Sequence, residues 1–217
     1  MYTNIMFDLD GTITDSGRAI ISSVEYALSQ FGIIDQPMEK LQTFIGPSLF
    51  DSFRREYEMS DEDCEKAIGF YRSIYEAERM YDVDVYDGIP ELFQALKKKD
   101  CKLLLITSKP LVFSEKILER IGLADYFDHM VGPKPSDHSS DKKLLIEKAL
   151  IEYKLNKGEC VMIGDTKYDI KGAADAGIDS IAVTYGYGQT EEMKEAGATF
   201  FADSAREIAE ILGVEIW

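Results

Sequence analysis

No uninterrupted apolar stretch in these 217 residues approaches the length needed to cross a bilayer, so a membrane-spanning helix is not expected. The opening residues, MYTNIMFDLD, show neither a basic leader nor a long apolar core, and we expect an unexported, cytoplasmic chain. Cysteine is scarce. Cys64, Cys101 and Cys160 are odd in number, far apart and set in apolar periodic stretches, which suits reduced core thiols rather than zinc ligands or disulfides. Low-complexity tracts, internal repeats and Pro/Ser linkers are missing, so disorder is not expected away from the ends. Positive charge is in deficit, with 24 Lys and Arg against 40 Asp and Glu and a formal charge of -16. That balance repels polyanions and offers no basic stripe, which excludes nucleic acid as an expected partner. A small anion would have to be held by local cations: a metal, a lysine or helix amino termini.

What the chain has is an ordinary globular composition, 45% hydrophobic and 29% charged, at a length that fits one core plus a modest insertion. Its most informative stretch is Asn4 to Thr14, NIMFDLDGTIT. Ile5, Met6 and Phe7 form the apolar run of a strand covered on both faces, and the run stops at Asp8, where burial becomes costly. In an open α/β sheet, ligands bind beyond the carboxyl ends of the strands, and Gly11 allows a tight turn over that crevice. If the strand continues, Asp8 and Asp10 face one side with Leu9 turned away. Such a pair can hold a hard cation, or divide nucleophilic attack and proton transfer between them.

From Asp15 to about Val85 the spacing predicts helices and no strand. Ile20, Val24, Ala27, Leu28 and Phe31 form one apolar face, Cys64, Ala67, Ile68, Tyr71, Ile74 and Tyr75 another. Phe44, Ile45, Leu49, Phe50 and Phe53 mark a shorter helical region broken by Gly46-Pro47. From Asp87-Gly88 onward strands and helices alternate, the signature of a doubly wound parallel sheet. Strands are expected at Lys102–Ile106, near His129–Val131, at Cys160–Ile163 and at Ser180–Thr184, with a short edge strand at Phe200 and Phe201 and a closing helix over Ser204 to Leu212. A helix should open near Lys142, capped from among Ser139, Ser140 and Asp141. Thr184 to Gly188, TYGYG, reads as a loop and not a dinucleotide fingerprint, since the third glycine is missing. The fold class is therefore α/β, a Rossmann-like core of residues 1–14 and 86–217 with an all-helical cap domain inserted at 15–85.

Four strand ends then offer polar groups to one crevice: Asp8 with Asp10, Thr107, the loop and helix carrying Lys142, and Asp165 with Asp169. The combination of DLDGT at Asp8 to Thr12, a strand-end Thr107, a downstream lysine and GDTKYD at Gly164 to Asp169 resembles the haloacid dehalogenase superfamily, phosphatase branch. The helical insertion, YDGI at Tyr86 to Ile89 and TYGYG are similar to its subgroup of phosphoglycolate phosphatases, nucleotidases and sugar phosphomutases. The resemblance implies that Asp8 attacks phosphorus to become an aspartyl phosphate, and that Asp10 protonates the leaving oxygen and then activates water. It further implies Mg2+ held by Asp8, the carbonyl of Asp10 and Asp165, with Asp169 orienting the metal's shell, and Thr107 and Lys142 on the phosphoryl oxygens.

The lysine departs from the family's common Lys-Pro pattern. Lys134-Pro135 supplies those letters too far before the apolar helix, whereas Lys142 has the better spacing to Ile146 and Ala149, with Lys143 beside it. For substrate specificity the resemblance points to Gly46 and Pro47 on a cap loop facing the site, and Arg18 near the hinge is a candidate partner for a second substrate anion. The expected partner is a small phosphate ester, such as phosphoglycolate or a nucleotide monophosphate, acted on by a monomer or homodimer. The alternatives kept open are a sugar phosphomutase and a non-catalytic phospho-ligand module.

Overall fold

The computed structural model describes residues 1–137 and 141–216, so Ser139 and Ser140, two of the three expected caps, lie outside the described residues. Strand β1 (Asn4–Phe7) lies between β4 (Lys102–Ile106) and β6 (Cys160–Gly164), parallel to both, and the order β5-β4-β1-β6-β7-β8 is completed by β5 (His129–Val131), β7 (Asp179–Val183) and β8 (Phe200–Ala202). Alternation along β1 explains why its run is apolar on both sides. Ile5 and Phe7 join one core, Met6 the other. Phe7 meets Phe93 of α5 (Ile89–Lys98) edge to face at 5.0 Å between centroids. On that face α6 (Leu111–Arg120) and α10 (Ala205–Leu212) contribute Ile117, Leu118, Ile208 and Leu212, while Met6 packs with α7 (Lys142–Glu152) and α8 (Lys167–Ala176) through Ile146, Ala149 and Ala173. A short α9 (Thr190–Glu195) covers β7 through Met193.

Register sets the site. Phe7 is paired with Leu105 on one side and Ile163 on the other, so Asp8, Thr107 and Asp165 emerge together just beyond three neighbouring strand ends. The Asp8 amide donates to the Ile163 carbonyl at 3.0 Å, anchoring the first residue past the strand.

The inserted segment carries α1 (Gly17–Ser29), α2 (Met38–Gln42), α3 (Leu49–Tyr57) and α4 (Asp61–Ile74), the last continuing into a π-helical turn at Tyr75–Arg79. Ser48 and Ser60 cap α3 and α4, each hydroxyl accepting the backbone N–H three residues on. The expectation of no strand between Asp15 and Val85 is corrected: β2 (Thr14–Asp15) and β3 (Asp84–Val85) form an antiparallel ribbon where the chain leaves and re-enters the core. Two residues are too few to display an alternating pattern. Phe44 and Ile45 are buried but lie beyond α2, since Gly46 at φ +108° and Pro47 do not continue a helix. Among the described residues no helix is long and apolar enough to cross a membrane, and the three cysteines are buried and unbridged. Burial pushes the Cys160 thiol up to about 11.

Candidate active site at the strand ends

Lys142 holds the site together. As the first residue of α7 it faces the positive end of the helix, an unfavourable place for a cation unless carboxylates compensate. Here they do: its Nζ lies 2.8 Å from Asp8 Oδ1 and 2.7 Å from Asp169 Oδ1, and donates to the Ile106 carbonyl at 3.0 Å. Burial works against the ammonium, but the Asp169 and Asp8 carboxylates outweigh it and hold its pKa above the ordinary lysine value. The helix start is fixed by Asp141, whose Oδ1 accepts the Lys143 amide at 2.9 Å. The other two lysines are elsewhere. Lys143 is half-exposed and pairs loosely with Glu147, and Lys134 is exposed with its backbone bound to Asp137.

Asp169 stands in the first turn of α8 and serves two partners. Its Oδ2 accepts the Thr166 amide at 3.1 Å and the Thr166 hydroxyl at 2.7 Å, closing a capping box, which leaves Oδ1 for Lys142. Asp165, fully buried, accepts from the Thr12 hydroxyl at 3.3 Å and the Tyr187 amide at 2.8 Å. The turn after Asp8 exists to admit it. Gly11 sits at φ +83°, and a Cβ there would lie 2.1 Å from Asp165 Oδ2.

One oxygen each of Asp8, Asp165 and Asp169 lies within 4.8 Å of the others. Ionised, three carboxylates against one ammonium would leave two negative charges buried, which only the neutral form or a cation can relieve. Burial, opposed by Lys142 and reinforced by Asp169, pushes Asp8 up from 3.8 to about 7, and burial with Asp169 and Asp8 raises Asp165 well above the carboxylate range. Three oxygen donors carrying an excess of two charges fit a hard divalent cation.

Asp10 stands apart. Its carboxylate is gripped by Lys109 Nζ at 2.7 and 2.8 Å, with both side chains nearly buried. This lysine was missed by sequence reasoning, although it follows Thr107 by two residues. Thr107 accepts the Lys109 amide on its hydroxyl at 3.1 Å, so the same turn presents both. Thr12 and Tyr187 were also missed as Asp165 partners. TYGYG is a loop, as expected, but one that stitches the site: Tyr185 donates to the Thr12 carbonyl at 2.9 Å, and the Tyr187 hydroxyl meets Asp15 and the Gly17 amide at the start of α1.

Between core and insertion lies a small cavity of about 80 Å³, lined by Asp10, Lys109, Gly46 and Pro47 among others. Gly46, which lines it, also packs closely on the core, since a Cβ there would come 3.1 Å from the Thr166 methyl. Arg18 is not brought to this cavity. It lies on the exposed side of α1, because the neighbours Gly17, Ala19 and Ile20 take the buried face, and its guanidinium pairs with Asp82 and Asp84.

Comparison with known proteins places this geometry. The family model described as haloacid dehalogenase-like hydrolase matches residues 5–183. The chain is 34% identical to a 5'-nucleotidase of Pseudomonas aeruginosa over 97% of its own length and 96% of the relative's, and 32% identical to tyrosine-protein kinase PtkA of Mycobacterium tuberculosis over 97% and 72%. The structure of a predicted phosphatase from Clostridium acetobutylicum superposes with a TM-score of 0.94 at 40% identity, covering 98% of both chains. On the match of its fold, its strand-end acids and its sequence, the chain belongs to the haloacid dehalogenase-like hydrolase family.

Proposed function

We propose that the protein hydrolyses small phosphate monoesters in two displacements, with Asp8 as nucleophile and Asp10 as proton carrier. The observation that carries this reading is the division of the carboxylates. Asp8 shares a buried ammonium with Asp169 inside a three-carboxylate cluster, while Asp10, two residues on, is held separately by Lys109. An Asp8 oxygen attacks phosphorus, the bond to the ester oxygen breaks, and Asp10 delivers the proton that the departing alcohol requires. Water then attacks the acyl phosphate as Asp10 takes up its proton, and phosphate leaves with Asp8 regenerated. Lys142 offers positive charge to the phosphoryl oxygens from beside Asp8, and the Thr107 hydroxyl is placed on the neighbouring strand end.

Asp8, Asp165 and Asp169 are the residues whose side chains would hold Mg2+, with the Asp10 carbonyl; when bound, the ion supplies charge neutralisation between the phosphoryl group and the carboxylates. Lys109 keeps the Asp10 carboxylate aimed and separate, and it remains when the alcohol has gone, so one group serves both proton transfers. The cavity beside Asp10 takes the leaving group, with nucleotide monophosphates and phosphoglycolate as the substrate classes to compare.

Magnesium-dependent phosphate release from a panel of monoesters, with Asp8→Asn as control, tests this reading. Turnover that the substitution abolishes is the expected result. Release that survives in Asp8→Asn removes Asp8 from the chemistry. No release from any ester by folded protein returns the choice to phosphoryl transfer onto an acceptor other than water, or to phospho-ligand binding.

A further inference from the structure

The loop of residues 185–188 lies on Asp165 so closely that both of its glycines are required there. A Cβ on Gly186 would overlap the Asp165 side chain, and one on Gly188 the Asp165 carbonyl oxygen. That approach delivers the Tyr187 amide to Asp165 Oδ2 at 2.8 Å, while the Thr12 hydroxyl reaches Oδ1 at 3.3 Å. Both oxygens of this fully buried carboxylate are thereby oriented, as the outer partners of a metal ligand orient it.

The tyrosines of the same loop reach the two places where the chain crosses between core and insertion. On the outgoing crossing the Tyr187 hydroxyl donates to Asp15 Oδ1 and accepts the Gly17 amide at 2.6 Å, so its proton and a lone pair are both used. The ring depends on Gly17 to arrive there, because a Cβ at that position would come 2.8 Å from the hydroxyl oxygen. On the returning crossing Tyr185 meets Tyr86 with 4.6 Å between ring centroids, and the Tyr86 amide donates to the Ile13 carbonyl at 3.1 Å. Asp15 itself is the partner of Asp84 in the β2–β3 ribbon. Tyr187 therefore holds Asp165 by its backbone and the ribbon by its side chain. Packing alone would require neither the doubly bonded hydroxyl nor a glycine facing it.

We infer that Tyr187 is a positioning residue that ties the cation site to the inserted segment: a divalent cation held by Asp8, Asp165 and Asp169 steadies the β2–β3 ribbon through this side chain, and the ribbon's hold on Tyr187 keeps Asp165 aimed for the cation. The inference rests on the Mg2+ reading of the acid cluster and not on which ester is hydrolysed. The two effects are one coupling free energy seen from either end, so they must agree in size. Loaded with the cation, the protein holds its insertion firmly; without it, the crossing is slacker.

Calorimetric titration of Mg2+ and amide hydrogen exchange, run on the wild-type protein, Tyr187→Phe, Gly17→Ala and Ser60→Ala, test this without recourse to turnover. Mg2+ should slow exchange of the ribbon amides, Tyr86 among them, by about tenfold in the wild-type protein, an ordinary size for coupling between two sites. Tyr187→Phe keeps the backbone amide and loses only the hydroxyl. It should bind Mg2+ about tenfold more weakly, as when an outer partner of a metal ligand is removed, and lose the exchange response even at saturating Mg2+. Gly17→Ala crowds the ring from the ribbon side and lies outside the acid cluster. It should do the same, and it decides the matter if Tyr187→Phe does not fold. Ser60→Ala, which removes the cap of α4, should keep both the affinity and the response. Unchanged affinity in Tyr187→Phe and Gly17→Ala overturns the inference, as does wild-type ribbon exchange that is indifferent to Mg2+. So does an affinity loss in Tyr187→Phe that Gly17→Ala does not share, or one that Ser60→Ala does. Absence of any Mg2+ binding by the wild-type protein brings down the cation reading itself, and the coupling with it.

Discussion

Lys142 compensates two carboxylates at once, so its removal is a sharper perturbation than loss of a surface ion pair. Lys142→Met should abolish turnover and lower stability by about 3 kcal/mol in metal-free buffer, the usual consequence of leaving a buried charge without its partner. Denaturant melts with and without Mg2+ check this, and Lys134→Ala serves as the exposed control. A Lys134→Ala variant that loses activity while Lys142→Ala keeps it would reverse the assignment. The raised Asp8 pKa fixes the sign of a pH effect. Because the folded value, about 7, exceeds the ordinary 3.8, the folded state binds the extra proton between them. Stability of the metal-free protein should therefore fall as pH rises across that window and level off above it. Mg2+, or Asp8→Asn, should flatten this part of the profile in thermal melts. Asp8, Thr107 and Asp165 were legible as strand-end residues because each directly follows an apolar strand, whereas Asp10 and Asp169, further along the chain, were read from the motifs DLDGT and GDTKYD around them. Lys109 stood two residues beyond Thr107 and was passed over, since its role depends on which way a side chain turns after the strand has ended.

Elements place these residues, and the loops between elements decide whether the site closes. Gly46→Ala puts a side chain at φ +108°, where an L residue is strained, and 3.1 Å from the Thr166 methyl, so the loop must shift against the core. The expected outcome is a raised KM together with a lowered melting temperature, read by kinetics and calorimetry on one preparation. Ser60→Ala is the contrasting case. It removes the cap of α4 and should lower stability by about 1 kcal/mol with kcat untouched. The core strands were legible because burial on both faces produces unbroken apolar runs. The β2–β3 ribbon and the π-helical turn were not: one spans two residues on each side, and the other shifts helical spacing too little to disturb an apolar stripe. Arg18 shows the complementary limit. Its place near the hinge was readable, but its capture by Asp82 and Asp84, more than sixty residues on, depends on how the ribbon brings those acids back.

At the scale of the whole molecule, the charge of -16 surrounds a site that must admit an anion. Screening should help the substrate in: kcat/KM for a dianionic ester is expected to rise as ionic strength increases toward ~0.15 M. A fall in kcat/KM over that range would show that the local field at the mouth, not the net charge, governs encounter. The central place of β1 has its own consequence for how the molecule comes into being. Its four residues are synthesised long before either neighbour, Lys102–Ile106 or Cys160–Gly164, against which they must lie. Those pairings are distant in sequence, so loop closure delays them, and β1 with Asp8 at its end waits on the ribosome for its walls. A nascent polypeptide halted before Cys160 carries Asp8 but lacks the strand that would bury it. Asp8, the first of the strand-end acids to be made, is thus among the last to be enclosed.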